Sequence, residues 1–105
     1  MPPDPLPTLT AWADEPTILD REGRPALVCW WTLEPKRRAG VVWPDGAWEV
    51  YLPDADPCGG RPVECGNCAN QRSGRNVARC ALQRLCRRLR DHAERTSNSK
   101  SGGPL

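Results

Sequence analysis

The feature that most constrains the fold is a set of short strand-forming runs confined to the middle of the chain. Residues 26–33 are apolar, rich in β-branched and aromatic side chains, and too few for an isolated helix. Residues 40–43 and 47–52 are similar runs, and residues 44–46 between them read Pro-Asp-Gly, which is typical of a hairpin turn. We therefore predict an antiparallel β-meander of three to four strands over residues 17–52.

The second half of the chain changes to a helical pattern. From residue 76 to 94 the apolar side chains recur at helical spacing, and Asn76 or Ser73 can cap the first turn. One such helix can cover one face of the meander, with Trp48, Val50 and Leu52 facing it, so we predict an α+β fold. The predicted buried stripe of the helix comprises Val77, Ala81, Leu82, Leu85 and Leu89, with His92 at its edge.

Composition divides the chain into an arm, a domain and a tail. Residues 1–15 are rich in proline and predict an extended or disordered arm, from which Leu9 and Trp12 can dock onto the domain. Residues 16–95 predict one small domain, and residues 96–105 predict a disordered tail.

The segment between sheet and helix predicts a metal-binding loop. Residues 53–75 are rich in proline and glycine without an apolar period, and a loop of that length needs something to fold around. Cys65-Gly66-Asn67-Cys68 is a C-x-x-C pair, and a tetrahedral zinc site needs two further ligands. We predict a structural zinc ion bound by Cys58, Cys65, Cys68 and Cys80, with Cys86 as a substitute ligand.

Other uses of the six cysteines stay open. The first residues show neither the basic nor the apolar part of a signal peptide, so we expect a cytoplasmic protein with reduced thiols. An iron–sulfur cluster, a redox dithiol or disulfides are alternatives to zinc, and Cys29 in the strongest strand is expected in the core.

Charge is divided between the two halves of the chain. Residues 1–57 carry five basic and ten acidic side chains, whereas residues 58–105 carry ten basic and three acidic ones. Seven arginines lie between Cys65 and Arg90 without an acidic residue, which is typical of a phosphate-binding surface. The alternative is a solvated helix face, or arginines that balance zinc-bound thiolates. The predicted nucleic-acid contacts are Arg72, Arg75, Arg79, Arg84, Arg87 and Arg88.

Two adjacent tryptophans predict a second surface. Trp30 and Trp31 point to opposite faces of their strand, and a single helix can cover only one face. The other tryptophan is then covered by the proline-rich arm or contacts a partner. Because the first half is acidic and repels phosphate, we expect a protein partner for whichever of Trp30 and Trp31 the helix leaves uncovered.

These patterns favour a binding protein over an enzyme. The single histidine has no nucleophile nearby in sequence, and the chain shows no phosphate-binding glycine loop, membrane span or small-molecule site. We predict a small zinc-stabilised accessory or regulatory protein that binds nucleic acid through its arginine-rich helix. The alternatives are a protein-interaction module, such as an inhibitor or adaptor, and a thiol-redox or iron–sulfur regulator.

Overall fold

The structure, a computed structural model, describes residues 8–54 and 60–101, and of residues 96–101 the backbone alone. The described residues form five strands and one helix, and the strands lie in one antiparallel sheet in chain order. The α+β class is confirmed, whereas the predicted strand count of three to four is wrong. The elements are β1 Ala13–Leu19, β2 Pro25–Trp31, β3 Arg37–Val42, β4 Ala47–Val50, β5 Glu64–Asn67 and α1 Gln71–Ser101.

Both ends of the sheet extend beyond the predicted bounds. β1 begins at Ala13, inside the predicted arm, and β5 lies inside the predicted loop 53–75 and pairs with β4. No metal-binding loop is seen among the described residues. α1 begins five residues earlier than predicted and continues into the predicted tail. Residues 1–7, 55–59 and 102–105 lie outside the described residues.

The predicted hairpin at residues 44–46 is confirmed. Gly46 adopts a φ of 101°, which glycine tolerates and other residues rarely do. The Gly46 amide donates to the Trp43 carbonyl at 2.9 Å, and the Ala47 amide donates to the Asp45 carboxylate at 3.0 Å. This tight turn brings β3 and β4 into register, with Val42 opposite Trp48.

The helix packs on one face of the sheet and creates the main core. Ala78, Ala81, Leu82 and Leu85 of α1 are buried against strand residues that include Trp31, Val42, Trp48 and Val50. The prediction that Trp48 and Val50 of β4 face the helix is therefore confirmed. Val77, by contrast, was predicted to be buried but is 40% exposed, and Ala78 is buried in its place.

The segment before β1 docks along β2. Thr10 and Thr32 donate backbone hydrogen bonds across this junction, each at 2.9 Å, to Trp30 and Thr8 respectively. Leu9 and Trp12 pack against the core under the helix, as the sequence predicts. None of the described helical residues forms a stretch apolar and long enough to cross a lipid bilayer.

Candidate nucleic-acid interface

The start of α1 is fixed to the β3–β4 hairpin. The Asn70 side chain caps the helix by accepting a hydrogen bond from the Ser73 amide at 2.9 Å. The Gln71 side chain donates to the Val42 carbonyl at 3.2 Å. Gly74 is buried so tightly that an added Cβ would lie 2.8 Å from the Gly46 carbonyl oxygen. These contacts fix which side of α1 faces the solvent.

Seven arginines occupy the solvent side of α1, and we call this side the arginine face. All seven are exposed, and the sequence between residues 71 and 90 contains no carboxylate. One of them, Arg84, forms an ion pair with Glu64 of β5 at 3.2 Å. The other six form no ion pair with any residue that the structure describes. The arginine face consists of Arg72, Arg75, Arg79, Arg84, Arg87, Arg88 and Arg90.

A shallow cleft runs along each side of the arginine face. The cleft towards β5, of about 570 Å³, is lined by Val63, Glu64, Arg84, Arg87 and Arg88. Its carboxylate is the one that already pairs with Arg84. The cleft towards β2, of about 360 Å³, is lined by Leu27, Gln71, Arg72 and Arg75 and contains no carboxylate among its lining residues. Arginines therefore line both sides of the helix.

No family model, curated protein or solved structure matches this chain. The acidic half gives a further reason to consider the arginine face as a binding surface. In the β1–β2 turn, Asp20 and Glu22 pair with Arg24 at 2.9 and 3.2 Å rather than with the helix. Among the described carboxylates, Glu64 is the one that forms an ion pair with an arginine of α1. The two charged halves therefore do not neutralise each other by direct ion pairs in the described part of the chain.

The two cysteines of the predicted C-x-x-C pair lie on different sides of the sheet. Cys65 lies opposite Glu49 in the β4–β5 pairing and so shares the face that points away from α1. Cys68 follows the strand and packs against the core beneath α1. Joint coordination of one ion by both sulfurs would require the end of β5 to leave this arrangement. The described arrangement therefore does not bring these two sulfurs together.

The remaining predicted ligands are dispersed. Cys80 is exposed on α1, whereas Cys86 is half-buried against the core and burial raises the pKa of its thiol. Cys58 lies outside the described residues. Across residues 8–54 and 60–95, no three histidine, cysteine, aspartate or glutamate side chains are placed to bind one metal ion. Cys29 lies in the core, as predicted, and burial raises its pKa to about 12.

The adjacent tryptophans point to opposite faces, as predicted, and the structure shows which one is covered. Trp31 is fully buried under α1 and donates from its indole nitrogen to the Tyr51 carbonyl at 3.0 Å. It therefore has no surface to offer a partner, and of the predicted interface pair only Trp30 remains a contact candidate. Trp30 is half-buried on the opposite side of the sheet, which we call the outer face.

The neighbours of Trp30 on the outer face were not predicted from the sequence. Trp43 and Tyr51 pack with Val28 and Val41 there. The Lys36 ammonium lies 5.9 Å from the ring centre of Trp30. The Arg38 guanidinium lies 5.9 Å from the ring centre of Tyr51. The Tyr51 hydroxyl also donates a hydrogen bond to the Glu49 carboxylate. Because side chains alternate along a strand, the sequence already places Tyr51 on the face opposite Trp48, and this pattern was the available signal for the outer face.

Proposed function

We propose that this chain binds nucleic acid through the arginine face of α1, in an accessory or regulatory role. The observation that carries the proposal is the set of seven exposed guanidinium groups, only one of which is ion-paired among the described residues. Guanidinium groups bind phosphate oxygens through paired hydrogen bonds. Unpaired arginines also keep their full charge available for a polyanion, because no neighbouring carboxylate has to be displaced first.

Binding of this kind depends strongly on salt. Each arginine that neutralises a phosphate releases a condensed counterion, and the slope of log affinity against log salt changes by about 0.9 per contact on duplex DNA. We expect the chain to bind duplex DNA at low ionic strength and to lose that affinity steeply as salt rises. Replacing Arg72, Arg79 and Arg87 with glutamine should weaken binding and flatten the slope by about 0.9 for each residue that contacts phosphate.

The matched control removes the same charge from elsewhere. Arg21→Gln, Lys36→Gln and Arg61→Gln change three exposed cations outside α1 and should leave both affinity and slope nearly unchanged. Affinity and salt slope are measured by fluorescence anisotropy of labelled DNA. If both triple variants weaken binding equally, net charge explains the affinity and the arginine face does not. If the wild-type chain binds no nucleic acid at low salt, the proposal is wrong.

The outer face supports a second candidate function, a protein-interaction module. Trp30 stays half-buried there beside Trp43 and Tyr51, and amphipathic aromatic side chains of this kind are frequent contact residues at interfaces. Trp30→Ser should abolish co-purification of a defined partner from the host cell, while Arg79→Gln should leave it unchanged. Nucleic-acid affinity that is unaltered by Trp30→Ser would show that the two surfaces act independently.

Zinc remains a separate proposal, because Cys58 lies outside the described residues. If zinc is bound by Cys65 and Cys68, protein purified under reducing conditions should contain close to one zinc per chain, as a structural site requires. Replacing both residues with serine should then remove the metal. Metal-free wild-type protein with an unchanged circular dichroism spectrum would contradict the zinc prediction and leave the arginine face unaffected. A brown protein with visible absorbance would instead indicate an iron–sulfur cluster.

A further inference from the structure

The arrangement of polar residues on α1 identifies a more specific ligand than nucleic acid in general. At about 100° per residue, Arg75 and Arg88 border the exposed side of α1 and lie about 220° apart across it, while the remaining 140° packs on the sheet. Asn76 and Gln83 lie between them, only about 20° from each other, and both are exposed. The amide pair therefore lies near the outermost line of α1, with Arg72 and Arg90 about 20° from Gln83 on one side and Arg87 about 20° from Asn76 on the other.

Each part of this arrangement corresponds to a part of a DNA groove. The major groove of B-DNA is about 12 Å wide, and an α-helix with its side chains is about 10–12 Å across. Arginines on the two sides of such a helix reach the phosphates of the two strands. Asparagine and glutamine on its outermost line reach base edges, where they form paired hydrogen bonds with adenine.

The clefts beside the helix agree with this placement. The groups on one side, Arg84, Arg87 and Arg88, line the cleft towards β5, and Arg72 and Arg75 line the cleft towards β2. Gln83 also borders a small cleft with Leu9 and Arg90 whose lining residues include no carboxylate. A phosphate backbone therefore finds positive charge on either side of α1.

Two other ligand classes fit this surface less well. Proteins that bind single strands stack bases on aromatic side chains beside the cations, but no tryptophan or tyrosine is among the described residues that line the clefts beside the arginine face. Duplex RNA has a deep, narrow major groove that side chains cannot read. The described surface of α1 therefore favours a DNA duplex.

We propose that residues 71–90 of α1 enter the major groove of duplex DNA, where Asn76 and Gln83 read adenine and the arginines contact both phosphate strands. This inference rests on the proposed nucleic-acid binding. The two amides are about 10 Å apart along the helix axis, which corresponds to about three base pairs. Asp91 and Glu94 are exposed beyond Arg90 and limit the contact at that end, because they repel phosphate.

The test selects sequences from a random pool of duplex DNA with the full chain. The wild type should enrich a motif with adenines about three base pairs apart. Asn76→Ala and Gln83→Ala should each remove the preference at one position, reducing affinity for the selected motif about tenfold. For both variants the affinity for unselected duplex should fall much less than the affinity for the selected motif, since the arginines that contact phosphate are unchanged.

Asn67→Ala is the matched control, because Asn67 is an exposed amide on β5 and not on α1. It should leave the enriched motif intact. A chain that binds duplex without any preference, or that prefers single-stranded DNA or RNA, would overturn this inference and leave nucleic-acid binding standing. A chain that binds none of these pools at low salt would overturn both.

Discussion

At the scale of single residues, Gly46 is the point where the hairpin, β5 and the helix meet. Its carbonyl accepts a hydrogen bond from the Cys68 amide at 2.9 Å, and Gly74 of α1 packs directly on it. A Cβ on Gly46 would collide with the Cys68 carbonyl and would lie 2.8 Å from the Asn70 carbonyl oxygen. The position of α1 on the sheet therefore depends on a residue outside the arginine face.

Gly46→Ala should destabilise the protein by about 2–4 kcal/mol, from the left-handed backbone and from the collision together. Gly23→Ala is the matched control, because Gly23 also has a positive φ, of 80°, but an added Cβ meets nothing within 4 Å. Its cost should be about 1 kcal/mol, the backbone part alone. Urea denaturation measures both values. Equal losses for the two variants would show that the contact with the helix start adds no stability.

Tyr51 is the single tyrosine of the chain, so its titration can be followed without ambiguity. Burial, followed by the hydrogen bond to the Glu49 carboxylate, raises its pKa to about 12. Since the neutral form is favoured in the folded state, this group stabilises the fold fully below pH 10, and the contribution is lost as pH rises through 12.

The absorbance of tyrosinate in the folded protein should therefore develop at a pH well above 10.0, the ordinary pKa of tyrosine, and urea should return the midpoint to 10.0. Glu49→Gln should lower the pKa in the folded state, because it removes the adjacent negative charge while Tyr51 stays buried. A wild-type midpoint close to 10 in the folded protein would contradict the placement of Tyr51 on the outer face.

At the scale of elements, the first turn of α1 depends on its cap. Asn70→Ala removes the acceptor for the Ser73 amide and should cost about 1 kcal/mol. Asn76→Ala is the matched control, since Asn76 is exposed within the helix rather than before it. Its effect on stability should lie within about 0.5 kcal/mol. A larger loss for Asn76→Ala than for Asn70→Ala, in thermal or urea unfolding, would place the helix start where the sequence alone suggested.

The central hairpin and the faces of the strands could be predicted because local chemistry determines them. Gly46 provides the positive φ that the turn needs, and alternation along β4 places Trp48 and Val50 on the buried side. The helical register was predicted less well. Val77 is exposed and Ala78 buried, because the packing of α1 on the sheet, and not hydrophobicity alone, decides which residues are covered.

Strand β5, the beginning of β1 and the helix start could not be predicted, since non-local contacts form them. β5 contains no β-branched residue and is held by its pairing with β4. A Cβ added to Gly66 would lie 2.9 Å from the Trp48 ring, so the ring packs directly on this glycine. β1 contains Pro16 and a break in its pairing with β2, and both features are typical of an extended arm rather than of a regular strand. Gly74 disfavours a helix locally, yet it permits the close contact with Gly46.

In the candidate site too, features determined by local sequence could be predicted and features determined by non-local pairing could not. The arginines were identified from sequence because exposure follows directly from their position opposite the apolar stripe. The predicted ligand set depended instead on residues 53–75 being irregular, and β5 places Cys65 and Cys68 on different faces of the sheet. The spacing of a C-x-x-C pair cannot show whether its first cysteine lies in a strand.

At the scale of the whole molecule, the sheet acts as a support that presents one side of a long basic helix. Helix residues from Ala78 to Leu85 bind α1 to the sheet, and the clefts on either side leave its arginines accessible. The carboxylates of the β1–β2 turn pair locally with Arg24, so they do not cancel the field of the helix by direct contact. We propose that this field, held in place by the sheet, binds DNA.

The most direct test is to map the contact by NMR on isotope-labelled protein titrated with duplex DNA at low salt. We expect the largest amide shift changes within residues 71–90 of α1 and small changes around Trp30 and Tyr51, and we expect added salt to reverse them. Changes centred on the outer face, or no changes at low salt, would contradict this proposal.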